Sequence, residues 1–411
     1  MQLNIKLVTT IAVVAAGVAA GIYTLSSEQA VQNKPEPAEQ LGTGLPSGHP
    51  PIDQSGAPHP GQQAGTVKMD PNAKFTHFRV GNSNVKSIFL DGNVAWVGTS
   101  GGIIRYDTGT DVYRMFNVTN GLLSNGVFHV GKLGEYIVAG TYGGGMSLYD
   151  QKLNKWENFN VPNGLADAFV YKVLKVANGD IWIATWSGAN RIRGGDLKDR
   201  SKWDVYTVEN TKGGLPNDWV YSLEEGKNGE IWLATEGGLA RFNNDKWQNW
   251  NHVKGVGAPF DKIKNDPKFG SDPAEFSEHH AKQKIEMGLE DTGVAFNPNY
   301  IVSMAVDRDG VVWCGTWGGG LARFDGKKWR NYTMSDGLPG NHVFMLHLDP
   351  AGKLWIGTNN GLASLDSGKF KILTTDDGLF SNIIFSMATA ADGSQWIGSF
   401  GGVTRRLTTS E

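Results

Sequence analysis

From residue 74 onward, short apolar runs alternate with turns built on Gly, Asp and Asn. The fifth copy of the pattern shows the elements most clearly. Ile301 to Val306 predicts a first strand, Asp309-Gly310 a turn, Val311 to Thr316 a second strand and Gly318-Gly319 another turn. Leu321 to Phe324 and Lys328 to Tyr332 complete four strands. Alternation within each run suits strands that present one face to each neighbouring sheet. A Trp-x-Gly-Thr core marks the period. Its first position falls at Trp96, Val138, Trp182, Trp232, Trp313, Trp355 and Trp396, with spacings of 42, 44, 50, 81, 42 and 41 residues. A period near 42 is that of a four-stranded propeller blade. The step of 81 marks an insertion, residues 251–298.

The expected fold is therefore all-β: a seven-bladed β-propeller over residues 74–411. Its seventh unit ends soon after Val403-Thr404-Arg405 and lacks a fourth strand. Lys74-Phe75-Thr76-His77-Phe78 matches Lys155-Trp156-Glu157-Asn158-Phe159, so an N-terminal strand is expected to close the last blade. Such closure removes open sheet edges. Ahead of it, Leu7 to Leu25 is apolar except for three threonines and follows a single cation, Lys6. Residues 1–25 read as a signal anchor with an N-terminal hydrophobic helix, or as a signal peptide cleaved after Val18-Ala19-Ala20. Residues 26–73 are rich in Pro, Gly, Gln and Ser and read as a flexible, disordered tether. The expected location is periplasmic or extracytoplasmic, tethered to the inner membrane by residues 7–25.

Composition sharpens this. Gly 55 and Trp 14 suit a turn-rich β-protein with large aromatic plugs. A net charge of −3 argues against a broad nucleic-acid surface. The single cysteine, Cys314, excludes an internal disulfide and reads as a small buried apolar residue, because Val97, Ile183, Leu233, Ile356 and Ile397 hold the same place.

The repeat, seen best in DGVVWCGTWGGGLARFDGKKWRNYTMSDGL from Asp309 to Leu338, resembles the two-component regulator propeller repeat, whose core is W-x-G-T-x-x-G-L. The resemblance implies a propeller of the kind used as the extracytoplasmic sensor of membrane-spanning regulators of glycan use. In that family a β-sandwich, a membrane span and a histidine kinase follow; here the expectation is a stand-alone propeller.

Two sets of residues are expected at the mouth of the central channel. The residue after each Gly-Thr is Ser100, Tyr142, Trp186, Glu236, Trp317, Asn359 or Phe400. Four of these are aromatic, at turns where burial does not require it. Aromatic faces suit sugar rings, flat apolar ligands and cations; the same rings also suit packing on neighbouring loops or under the insertion. The residue opening each first strand is Ser83, Asn125, Asp167, Asn217, Asn299, Asn341 or Asn382, expected to bond the local backbone. Their neighbours Asp218, Tyr300 and His342 differ in kind between units and suit asymmetric recognition. Arg105, Arg191, Arg241, Arg323 and Arg405 share one third-strand position, which suits structural ion pairs or snorkelling.

The insertion predicts a helix from Asp272-Pro273-Ala274-Glu275 to about Leu289. Glu275 and His279 share a face, but a metal site needs more ligands than these supply. The helix suits a lid or a docking element for a membrane or envelope partner, or a passive insert. No nucleophile elbow, zinc motif or phosphate loop is present, and no cofactor is implied. The reading is an extracytoplasmic ligand-binding or sensory module for a glycan or other small ligand. The ligand-binding set is Tyr142, Trp186, Trp317, Phe400, Glu236, Asp218, Tyr300 and His342. The alternatives are a scaffold for an envelope complex, and a polysaccharide lyase or hydrolase with Asp218, Glu236 and His342 as its acids and bases.

Overall fold

The computed structural model describes residues 73–266, 281–282, 284–285 and 295–408. All lie in the compact unit Ser47–Glu411. They form an all-β propeller of antiparallel sheets in which each inner strand pairs outward through two or three more.

One expectation is corrected, and one falls outside the described residues. The sheets number six, not seven: five have four strands and one has six. The first strand, Phe75–Asp91, runs through 17 residues without a break. Its first half pairs with the last strand, Gln395–Arg406, with Phe75 opposite Arg406 and Phe78 opposite Val403. Its second half pairs with Val94–Thr99. The first and last repeats therefore share one continuous sheet. Secondly, no helix among the described residues is long and apolar enough to cross a membrane. The apolar helix expected over 7–25 lies outside the described residues, as do the tether up to residue 72 and most of the 272–289 helix. Within that helix, residues 281, 282, 284 and 285 are helical.

The repeated sequence positions have repeated structural tasks. Trp96, Trp182, Trp232, Trp313, Trp355 and Trp396 are all buried, wedged between neighbouring sheets with residues such as Tyr149, Phe242 and Phe324. The shared arginines lie over these rings: Arg105 is 5.9 Å from the Trp96 ring, Arg191 5.8 Å from Trp182 and Arg241 5.5 Å from Trp232. Four of the five also meet a carboxylate, closest at Arg191–Asp180, 2.7 Å. Four Gly-Leu pairs end a short 3-10 turn, and their leucines, Leu122, Leu165, Leu338 and Leu379, are buried.

The closing strand follows the same template. Asn158, Asn249 and Asn331 each donate to the carbonyl of a turn glycine, Gly121, Gly213 and Gly255. His77 takes that place in the first strand, its Nε2 2.9 Å from the Gly378 carbonyl. Phe75 lies against Gly378 as Trp156 lies against Gly121.

The Gly-Thr turn is locked by its hydroxyl. Thr99, Thr141, Thr185, Thr235, Thr316 and Thr358 each donate to the carbonyl of the glycine that opens the third strand, at 2.7–2.9 Å. Those glycines have left-handed backbone; Gly145 has φ +77°, and a Cβ there would strike the Phe159 carbonyl. Gly145→Ala is expected to cost roughly 2–4 kcal/mol, from strain and displacement of the outer strand. Urea unfolding would read this as a lower midpoint; an unchanged midpoint would refute it.

Candidate functional site

The inner strands open at one face of the propeller, beside the Gly-Thr turns. Five of the seven entry loops are closed by an Asn or Asp side chain. Asn125, Asp218, Asn299, Asn341 and Asn382 accept, through Oδ1, the backbone N–H of Val118, Val208, His252, Met334 and Thr375, at 2.6–3.0 Å. In the fourth repeat the residue in this place is Asp218 rather than Asn217, which instead accepts from the Trp219 N–H at 2.8 Å.

Two residues further on, every inner strand carries a register shift, between Val85 and Ser87, Val127 and His129, Val220 and Ser222, Ile301 and Ser303, Val343 and Met345, and Ile384 and Ser386. In the third repeat the shift falls between Val170 and Lys172. A bulge re-aims the extra side chain out of the strand's alternation. The bulged residues are Lys86, Phe128, Tyr171, Tyr221, Val302, Phe344 and Phe385.

These side chains meet one another around the propeller axis. Ring centroids are 4.6 Å apart for Phe128–Tyr171, 4.8 Å for Tyr171–Tyr221 and 5.6 Å for Phe344–Phe385. Where Val302 leaves a gap, Tyr300 and Trp317 bridge it: Tyr221–Tyr300 is 4.7 Å, Tyr300–Trp317 5.5 Å and stacked, Trp317–Phe344 5.7 Å. Lys86 ends the series with its ammonium 4.2 Å from the Phe385 ring centre. A second arc joins it from the turns: Tyr142–Phe169 at 4.6 Å, Phe169–Trp186 at 4.9 Å and Trp186–Trp219 at 4.4 Å.

Of the residues expected to bind a ligand, Tyr142, Trp186, Trp317 and Tyr300 thus belong to this aromatic system. Glu236 joins it, fully buried, with the Tyr221 hydroxyl 3.3 Å from its Oε2. His342 packs edge-on to Trp317 at 5.2 Å, and its Nε2 lies 2.9 Å from the Ala295 carbonyl. With Asn341, whose Nδ2 donates to Asp266 at 2.5 Å, it holds both described ends of the insertion. Asp218 is part of the loop closure described above. Phe400 stands exposed, with no ring partner among the described residues. The bulged ring is absent from the expected set. Its sequence signal was the residue after the first Val or Ile of each first strand, aromatic in five of seven repeats.

The ring is nearly free of charge. Burial raises the phenols of Tyr171 and Tyr221 well above their usual range, and the Glu236 charge adds to both. Burial alone pushes the Lys86 ammonium down to about 8. Beside the ring, burial and the Lys172 charge push His129 down to about 3, while Lys172 itself pairs with Glu224 at 2.6 Å. Burial raises the Cys314 thiol, as suits an inert core residue. Among the described residues, no three His, Cys, Asp or Glu side chains gather as a metal site.

Comparison with known proteins agrees with this architecture. Residues 214–237, 295–318 and 337–360 match the family described as two component regulator propeller. No curated protein matches the chain. Among solved structures, an extracellular domain described as that of a hybrid two component system from B. thetaiotaomicron superposes at a TM-score of 0.62. It is 23% identical over 81% of this chain and 41% of its own. The extracellular domain of a one component system from the same organism gives 0.58 and 19% identity, over 82% of this chain and 40% of that one. The chain thus spans about two fifths of the length of these structures. A streptogramin B lyase gives 0.56 and 12% identity, over 82% of this chain and 97% of its own. At these identities the likeness is one of fold. With its period and its Gly-Thr turns, this chain carries repeats of the two component regulator propeller type, three of which match that family.

Proposed function

We propose that the protein is an extracytoplasmic ligand-binding, sensory module that takes a small ligand with a flat apolar face, such as a sugar ring, at the mouth of the propeller. The observation that carries this reading is the aromatic system itself. Two series of rings, from Tyr142 to Trp219 and from Phe128 to Phe385, are linked by the Phe128–Tyr142 contact at 5.7 Å. Aromatic faces gathered at one place suit a ligand with a flat apolar face. The family and the fold of extracellular sensor domains support the sensory role and the location.

Binding is favoured over catalysis by what the ionisable groups already do. The Asp218 carboxylate closes a loop, the His342 imidazole holds the end of the insertion, and Glu236 is engaged by Tyr221. A general acid or base needs an atom free to face the substrate. Thermal shift against neutral and acidic oligosaccharides and aromatic carboxylates should find a ligand that raises the melting temperature. A ligand at about 100 times its Kd adds about 2.7 kcal/mol. Replacing Tyr142, Trp186 and Trp317 together with Ala should remove that shift and leave unfolding cooperative. A shift that survives the triple substitution, or no shift from any compound, would overturn the reading.

A further inference from the structure

Lys86 is the one cation among the bulged residues. Its equivalents in the other six repeats are Phe128, Tyr171, Tyr221, Val302, Phe344 and Phe385, so the bulge itself does not need a charge. Two other lysines of the inner strands are paired, Lys172 with Glu224 at 2.6 Å and Lys132 with Asp91 at 2.9 Å. Lys86 has no carboxylate partner among the described residues. Among the described residues its ammonium rests on the π face of Phe385 at 4.2 Å, and burial lowers its pKa. A cation–π contact offsets part of the desolvation of an ammonium, but a desolvated charge without an opposite charge is costly. An apolar side chain would fill this place without that cost.

We propose that the inner ring binds the carboxylate of a small, flat-faced ligand, with Lys86 as its counter-charge. The aromatic faces take the apolar part, and the ammonium donates a charge-assisted hydrogen bond to the carboxylate. The inference rests on the ligand-binding reading above and narrows its ligand to an anion.

The test compares 2-naphthoate with 2-naphthamide, which share a ring system and differ in charge. Isothermal titration at pH 7 on the full chain should show naphthoate binding about tenfold more tightly, or better, a difference of about 1.4 kcal/mol. Lys86→Met should erase the preference and keep naphthamide binding, and Lys86→Arg should retain it. Circular dichroism melts of both variants establish that they are folded. Equal affinity of the wild-type protein for both probes would overturn the counter-charge and leave the aromatic site standing. A preference for naphthoate that persists in Lys86→Met would do the same. Binding of neither probe would remove the counter-charge proposal and count against the aromatic site as well.

Discussion

Deleting residues 74–80 should abolish cooperative unfolding of the propeller. These residues are the outer partner of the last strand, with five consecutive pairs from Phe75–Arg406 to Arg79–Gly402. Without them that strand presents an open edge at Val403 to Arg406, a template for pairing with other chains. The loss is also one of packing. Phe78 stacks on Trp396 at 5.3 Å and touches Tyr106 at 5.1 Å, and Phe75 covers Gly378. Phe78→Ala alone should cost about 3 kcal/mol, the scale of a truncated large core side chain. The deletion should then give a broad, aggregation-prone transition in urea followed by tryptophan fluorescence. A sharp transition at the wild-type midpoint would show that the ring does not depend on this closure.

Lys86→Met should make the protein more stable at neutral pH, by about 2 kcal/mol, with a gain that disappears in alkali. The sign follows from the titration. The ammonium has an ordinary value of 10.5, lowered to about 8 in the fold. Below about 8 both states carry the proton, and the folded state bears the desolvation cost of a half-buried ammonium. Between about 8 and 10.5 the unfolded chain binds more protons, so wild-type stability rises with pH across that window. Above it the cost is gone. A shift of this size corresponds to about 3 kcal/mol at most, and the contact with Phe385 returns about 1. Urea midpoints of both proteins at pH 7, 9 and 10.5 would test this. A variant less stable than wild type at pH 7, or a difference that does not change with pH, would show that Lys86 is not a strained cation. A site that retains a destabilising charge is consistent with a binding role, since function commonly keeps what stability alone would discard.

Much of this protein is written in its sequence because its elements are local and repeated. The Trp-x-Gly-Thr core, the Gly-Leu pairs and the Lys-Trp positions each encode a short-range requirement. A hydroxyl locks a turn, a left-handed glycine admits a close carbonyl, and an aromatic ring covers the next repeat. Even the match of Lys74-Phe75-Thr76-His77-Phe78 to an outer strand holds down to His77, which makes the bond that asparagine makes elsewhere. The aromatic turn residues Tyr142, Trp186 and Trp317 were legible for the same reason, since the period places them at one turn.

Other features needed the assembled sheets. The merging of the first and last repeats follows from a strand that continues from Val80 to Asn84, where Gly81, at φ +73°, and a register shift take up the extra residues without a turn. Alternation along a strand assumes that each residue flips to the opposite face. A bulge breaks that rule, and pairing with the next strand decides where it falls. The inner ring of Lys86, Phe128, Tyr171, Tyr221, Phe344 and Phe385 was therefore hidden among residues that read as ordinary strand positions. The repeats and their turns are readable from the chain alone because they depend on neighbours within about 40 residues, and the closing strand is readable because its residues copy the outer-strand pattern. Which side chains meet at the axis is set by the closed ring, since residues as distant as Lys86 and Phe385 touch only there.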